Sequence, residues 1–204
     1  MHSTYQFKPR FQSVLKPAVK VLHHYHITPN SITVFSIVMS GIFSAWMALM
    51  PNKPCPWLIL PLALFIRMAL NAIDGMLARE FSMKSNLGLI LNELGDVVAD
   101  VFFFFPISLI AGVFWEPILI ACVLISLAEM AGILGICMGK TRRYDGPMGK
   151  SDRAVFLGCL GLLFGLGIIH SSGINIAIIV ILPFLLLTIF NRIKATLAQA
   201  QNAN

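Results

Sequence analysis

Apolar and polar positions along this chain fall into long blocks, not the alternation of a sheet. Six apolar runs follow one another at residues 34–50, 57–77, 87–113, 117–138, 154–170 and 174–193. Each is near the ~20 residues a helix needs to cross roughly 30 Å of hydrocarbon, and the connections are short. The pattern predicts an all-α integral membrane protein with six transmembrane helices. Ahead of them, Phe7, Phe11, Val14, Leu15, Ala18, Val19 and Leu22 recur at helical spacing over residues 5–24, with Lys8, Arg10, Lys16 and Lys20 mostly off that face. That predicts an amphipathic helix lying in the interface, bent at Pro9 and Pro17. The plainer alternative is a basic tail that only sets topology. The expected organisation is residues 1–33 for the interfacial helix and turn, 34–194 for the membrane domain and 195–204 for a cytoplasmic tail. Ser31, after a Pro-Asn turn, is the expected cap of the first span.

Composition agrees with the pattern. The chain is 57% hydrophobic and only 12% charged, against about 25% charged in soluble domains. Its net charge of +6 points to lipid head groups and topology, not to nucleic acid. Lys and Arg occupy the N-terminal region, the second–third connection, the fourth–fifth connection and the C-terminus. The alternate connections PNKPCP, GVFWEP and HSSG hold one Lys between them. Both termini are therefore expected on the cytoplasmic side. Cys55, Cys122, Cys137 and Cys159 lack CxxC spacing and read as packing residues. His23, His24 and His26 match no standard zinc set. The first residues have no apolar core or cleavage site, so no signal peptide is expected.

One stretch breaks the apolar pattern. RMALNAIDGMLAREFSMKSNLGLILNELGDVVAD, residues 67–100, holds Arg67, Asp74, Arg79, Glu80, Lys84, Glu93, Asp96 and Asp100 at the inner ends of two spans. Charge at membrane depth costs roughly 2.5–3.5 kcal/mol per group on insertion scales, so the cluster marks function. Arg67, Asn71, Asp74 and Ala78 share one stripe of the second span. Gly88, Asn92, Gly95, Asp96 and Ala99 share one stripe of the third, with Asp100 at its margin. The small residues are expected to let the two helices approach closely. Oxygen ligands on both helices suit a hard cation, Mg²⁺, Mn²⁺ or Ca²⁺. Gly75 and Gly88 would admit a ligand near the backbone, and Arg79 and Lys84 would meet phosphate oxygens. The bland alternative is polar glue, with Arg67 paired to Asp74.

The spacing resembles the signature of the CDP-alcohol phosphotransferase family, D-x2-D-G-x2-A-R-x8-G-x3-D-x3-D. Here it reads N-x2-D-G-x2-A-R-x8-G-x3-N-x3-D from Asn71 to Asp96, with no change of spacing. The preceding TPNSIT resembles the family's lead-in to its first span. The resemblance implies transfer of a substituted phosphate from a CDP-linked alcohol, such as CDP-diacylglycerol, to an acceptor hydroxyl, with release of CMP. It implies a homodimer in a bacterial inner membrane, with the active site facing the cytoplasm. In the family the four Asp positions bind two divalent cations, Mg²⁺ or Mn²⁺, and the last is the general base. Carried over, Asp74 and Asp96 are metal ligands, Asp96 is the base, and Gly75, Ala78, Arg79 and Gly88 line the CDP site. Asn71 and Asn92 replace two of the four carboxylates. An Asn carbonyl can still ligate a hard cation, and Glu93 or Asp100 stands ready to restore charge. Asp100 extends the ladder Asn92, Asp96 by a turn and joins the candidate catalytic and metal residues. One retained ion, on Asp74 and Asp96 with help from Asp100, is an alternative; so is a scaffold that has lost catalysis.

The loop GKTRRYDGPMGKSDRA, residues 139–154, is the most charged in the chain. Arg142, Arg143, Lys150 and Arg153 are candidate ligands for an anionic acceptor or a lipid phosphate, and the alternative is a topology anchor. Ser151 or Asp152 is the expected cap of the fifth span. Glu129 in the fourth span is expected either to pair with Arg67 or to act as interhelical glue. A small ion-coupled transporter is the remaining reading. It is disfavoured because the acids cluster at one face.

Overall fold

The computed structural model describes residues 8–138 and 141–201. Seven α-helices account for it: α1 Lys8–His24, α2 Pro29–Leu49, α3 Pro54–Glu80, α4 Asn86–Phe104, α5 Trp115–Cys137, α6 Lys150–Gly165 and α7 Ser171–Gln201. A short 3₁₀ turn, Phe105–Leu109, follows α4, and no strand occurs among the described residues. Four helices, α2, α3, α5 and α7, are long and apolar enough to cross a membrane by length and composition.

The other two expected spans differ for local reasons. The apolar run 87–113 does not make one helix. Pro106 lacks an N–H and crowds the preceding turn, so the α-helix ends at Phe104 and the chain tightens into the 3₁₀ turn. What remains, α4, carries Glu93, Asp96 and Asp100 in 19 residues. Helix α6 has 16 residues and opens on Lys150. Both still run between the same two ends of the bundle. Beyond α4, the N–H of Ala111 bonds Asn52 of the α2–α3 turn (2.9 Å), and that of Phe114 bonds Asn175 in the first turn of α7 (2.8 Å). At the foot of α6, Gly165 lies against Leu58 in the first turns of α3.

The cap of α2 is Thr28, not Ser31. Its hydroxyl oxygen accepts the Ser31 N–H at 3.2 Å, with Pro29 at the first helical position. The cap of α6 is Gly149, whose N–H is taken by Asp152. Helix α7 continues through Gln201, so residues 195–201 of the expected tail are helical. Helix α1 rests on the inner end of α3: Val19 is fully buried with Ile73, Met76 and Leu77, and the His23 ring stacks on Phe81 at 3.7 Å. The start of that stretch, residues 5–7 with Phe7 of its apolar face, lies outside the described residues.

Packing at the far end is apolar. Met47, Trp57, Leu60, Phe103, Phe104, Ile125, Leu157 and Ile178 belong to one core that joins α2 to α7. Large apolar side chains also point outward along the long helices, among them Phe35, Ile42, Leu62, Phe65, Ile176 and Phe190. A soluble surface would not carry such a belt. The polar side chains gather at the opposite end, and the fold holds them there.

Candidate active site at the inner end of the bundle

Helix α2 packs along both α3 and α4, and those two meet mainly through their side chains. The expected close approach of α3 to α4 is therefore made by α2. Its inner stripe, Thr33, Ser36, Ser40 and Ser44, is small, polar and buried. A Cβ on Gly95 of α4 would lie 2.5 Å from Ile37 of α2, so the close helix pair is α2 with α4.

Above that stripe opens a cavity of about 470 Å³. Asn71, Asp74, Gly75, Ala78 and Arg79 of α3 line it, with Gly88 and Asn92 of α4. Seven of the positions marked in the sequence thus share one chamber. Asn30 and Thr33, from the start of α2, and Lys84 and Ser85, from the α3–α4 turn, complete its wall. Ser85 caps α4 by accepting the Gly88 N–H at 3.0 Å. A Cβ at position 88 would lie 2.6 Å from Asn30 Oδ1 and 3.0 Å from Ser85 Oγ, so only glycine fits without displacing the wall. Asp74 is buried, and its Oδ2 accepts the Thr33 hydroxyl at 2.8 Å. Arg79 and Lys84 enter no ion pair among the described residues.

Asp96 lies one turn deeper on α4. Its Oδ1 accepts the Asn71 amide at 3.0 Å and contacts the Lys150 ammonium. The α5–α6 segment delivers that ammonium. Gly146, at φ +123°, packs against Thr188 of α7, and the Met148 N–H bonds the Thr188 hydroxyl at 3.0 Å. Lys150 then opens α6 beside Asp96. Deeper still, Asp100 sits between two guanidinium groups, Arg67 at 2.8 Å and Arg153 at 2.6 Å. Arg67 also donates to the Asp96 carbonyl at 3.1 Å.

Glu129 is the hub of the next layer. It pairs with Arg153 (2.7 Å), Arg142 (2.9 Å) and Arg192 (3.4 Å). Arg67 pairs with neither Glu129 nor Asp74; its carboxylate partners are Asp100 at 2.8 Å and Asp96 at 3.7 Å, and Glu129 is the interhelical glue of the second alternative, joining α5 to α6 and α7. Arg142 reaches Glu93 at 2.5 Å as well. Burial works against the Arg142 charge, but Glu93, Tyr144 and Glu129 hold its guanidinium above its ordinary value. Arg143 turns to Asp145 (2.8 Å). All four candidate anion ligands, Arg142, Arg143, Lys150 and Arg153, are therefore paired with carboxylates. Gly139 and Lys140, the start of that loop, lie outside the described residues. Sequence reasoning missed Thr33 and Arg192, and the glycines Gly132 and Gly135 that seat the loop. The small polar residues of α2, three and four apart inside an apolar run, were a readable sign of the first.

The donor chemistry tests what metal these residues fit. Among the described residues, no group of three or more His, Cys, Asp or Glu side chains is placed to hold an ion. Asp74 with the amide oxygens of Asn71 and Asn92, all on the cavity wall, makes an oxygen set that fits one hard cation. Asp96 faces an ammonium and an amide N–H, which are donors, so it does not fit a second. Asp100 is consumed by its two arginines.

Comparison with known proteins follows the same lines. A relative, inner membrane protein YnbA of Escherichia coli (strain K12), is 40% identical over 158 residues, 78% of this chain and 78% of that one. An uncharacterized protein of Aquifex aeolicus (strain VF5) is 31% identical over 97 residues, 48% of this chain and 47% of that one. Among solved structures, Mycobacterium tuberculosis phosphatidylinositol phosphate synthase (PgsA1) with CDP-DAG bound superposes with a TM-score of 0.75 at 14% identity, over 90% of this chain and 94% of that one. The same synthase in complex with manganese and citrate gives 0.73 at 15% identity, over 88% and 87%. At those identities it is the fold that is shared. The sequence model of CDP-alcohol phosphatidyltransferases matches residues 26–190, a span that takes in the whole chamber and, Arg192 apart, the charged layer behind it. With seven of its eight signature residues gathered on one cavity wall and the eighth, Asp96, one turn deeper, the chain belongs to the CDP-alcohol phosphatidyltransferase family, a family of phosphotransferase enzymes.

Proposed function

We propose that this protein transfers a substituted phosphate from CDP-diacylglycerol, or a similar CDP-linked lipid, to an acceptor hydroxyl and releases CMP, in phospholipid synthesis. The chamber carries this reading: it brings Asp74, Gly75, Ala78, Arg79 and Gly88 together at the end of the bundle that is rich in Lys and Arg. The protein works in the bacterial inner membrane with six spans, both termini and the chamber at the cytoplasmic side, and as a homodimer. The end-to-end course of α4 and α6 supports six spans, and the name of the Escherichia coli relative supports the membrane.

Each residue has a part. Arg79 and Lys84, without an ion pair among the described residues, meet the pyrophosphate oxygens. Gly75 and Gly88 leave room for the nucleotide. Asp74, oriented by Thr33, would hold one divalent cation with Asn71 and Asn92. That ion, Mg²⁺ or Mn²⁺, supplies positive charge against the negative charge that grows on the departing CMP. Asp96, fixed through Oδ1 by Asn71 and Lys150, takes the proton of the acceptor hydroxyl on its other oxygen. The acceptor oxygen forms a bond to the lipid-bearing phosphorus, the bond to the CMP oxygen breaks, and CMP leaves with the electron pair. Asp100 is a positioning residue that fixes Arg67 and Arg153.

The test is purified protein in lipid nanodiscs with radiolabelled CDP-diacylglycerol, Mn²⁺ and a pool of polar alcohols. CMP release is expected, together with its loss in Asp74→Ala and in Asp96→Ala. Mn²⁺ titration of the full chain should give one ion per chain, absent in Asp74→Ala. Persistent CMP release in both variants would overturn the assignment. Tight CDP-lipid binding without turnover would leave a binding scaffold instead.

A further inference from the structure

The chamber and the charged layer meet at Asp96, and the groups on its Oδ1 decide how many cations the site takes. This inference rests on the reaction proposed above. The family signature implies two divalent cations, and the donor set here fits one. The first carboxylate position of the signature holds Asn71, whose amide nitrogen stands 3.0 Å from Asp96 Oδ1. A carboxylate in the same place would set oxygen against oxygen, an arrangement that calls for a proton or a cation between them. The amide puts an N–H donor there instead, so the two side chains satisfy each other. The Lys150 ammonium contacts the same oxygen, and the Arg67 guanidinium follows at 3.7 Å. Asp96 Oδ1 is thus surrounded by donors.

Lys150 is carried there by a fixed piece of backbone. Met148 gives its N–H to the Thr188 hydroxyl at 3.0 Å, and its carbonyl accepts from Arg153 at 2.9 Å. Gly149 gives its N–H to Asp152 at 3.0 Å, the cap from which α6 starts. The first residue of that helix is Lys150, so its stem leaves a pinned turn and its ammonium reaches Asp96 across the bundle.

Charge gives the same answer. Asp74 and Asp96 bring two negative charges and Lys150 one positive. One divalent cation takes this set from one negative charge to one positive; a second would leave it with three positive. The layer beneath absorbs none of that surplus, because Arg67, Arg142, Arg153 and Arg192 already outnumber Glu93, Asp100 and Glu129. Uncompensated like charges are costly where the surroundings are apolar.

We propose that the Lys150 ammonium takes the place of a second divalent cation at Asp96, and that Asn71 makes this exchange possible by presenting an amide N–H in place of a carboxylate oxygen. Lys150 is a positioning residue: it fixes Asp96 and supplies from the chain itself a positive charge that a second ion would bring.

The experiment counts Mn²⁺ on the full-length protein in nanodiscs of zwitterionic lipid, reading the free ion by electron paramagnetic resonance. Wild type should saturate at one ion per chain. Asn71→Asp should also bind one, because the ammonium still holds Asp96 and one divalent cation neutralises the enlarged set. Asn71→Asp with Lys150→Gln has three carboxylates and no ammonium, and should bind two. Asn71→Asp with Lys150→Arg keeps the charge and should return to one. None or two ions on wild type would overturn the inference, and so would two on Asn71→Asp alone. One ion on a folded Asn71→Asp, Lys150→Gln variant would overturn it as well, since a merely structural lysine changes the melting temperature and not the count. Should that variant fail to fold, the counts on wild type and Asn71→Asp decide. The counts do not depend on turnover. The expected counts without CMP release would leave the exchange of cations standing and remove the reaction; CMP release with two ions on wild type would do the reverse.

Discussion

Asp100 illustrates what a single residue does in this site. It reaches two arginines at 2.8 and 2.6 Å and lies 5% exposed beneath Asp96. Removing one partner from such a group leaves buried charge behind, which costs about 3–5 kcal/mol. Asp100→Ala is therefore expected to unfold earlier in detergent, by roughly 10 °C for a chain of this size. Asp100→Glu, which keeps the charge, should recover part of that. A melting temperature unchanged in Asp100→Ala would show that Arg67 and Arg153 find other partners, and the layered charge arrangement would need redrawing. Asp96 is different in kind. It is 6% exposed, nearly as buried as Asp100, but its partner Lys150 keeps 26% of its side chain exposed, so water reaches the cation of the pair. Asp96→Asn should cost little stability and remove turnover. One carboxylate builds the floor and the next stands on it, although the sequence spaces them identically along α4.

At the scale of elements, two glycines on α5 decide where the charged segment goes. A Cβ on Gly132 would lie 2.8 Å from the Arg143 carbonyl, and one on Gly135 would lie 2.5 Å from the Thr141 carbonyl. The Arg143 N–H bonds the Gly132 carbonyl at 3.0 Å. The chain after α5 thus folds back onto its own helix, and this return aims Arg142 at Glu93 and Glu129. Gly135→Val should lift the segment off α5. Trypsin would then cut after Arg142 or Arg143 in folded protein, at least about tenfold faster than in wild type, because cleavage follows the population of the opened state. Unchanged protection would mean that the ion pairs alone hold the segment. This return was not legible in the sequence, because Gly132 and Gly135 sit in an apolar run and look like packing. The six helical segments were legible, because hydrophobic length is a strong signal. Their ends were less so: Pro106 shortens α4, and Thr28, not Ser31, caps α2. The chamber was legible from the stripes on α3 and α4. The partners across it were not, because nothing in the spacing tells that Arg67 meets Asp100, that Glu129 gathers three arginines, or that α2 lies between the two stripes.

For the molecule as a whole, the charged layers fix a direction. Lys16, Lys20, Arg79, Lys84, Arg142, Arg143, Lys150, Arg192 and Lys194 belong to the end that holds the chamber, and Lys53 is at the other. In the six-span arrangement proposed above every connection alternates, and the rule that positive loops stay inside then puts the basic end at the cytoplasm. Native cysteines report on this without new labels. Cys55 is exposed at the start of α3, at the end opposite the chamber; Cys137 is exposed at the last residue of α5, at the chamber end. Cys122 is buried. Cys159, exposed in the middle of α6, lies along an apolar groove with Phe65, Met68 and Leu162, on a face that meets lipid in the arrangement proposed above. A membrane-impermeant maleimide added to cells with a permeabilised outer membrane should label Cys55, and Cys55→Ser should remove the signal. Cys137 should label only after the inner membrane is opened. The reverse order would put the chamber outside, away from a cytoplasmic CDP-lipid supply, and would remove the reaction proposed for it. Labelling of both cysteines in sealed cells would mean that α4 and α6 do not both cross, and that the four long helices alone span the bilayer.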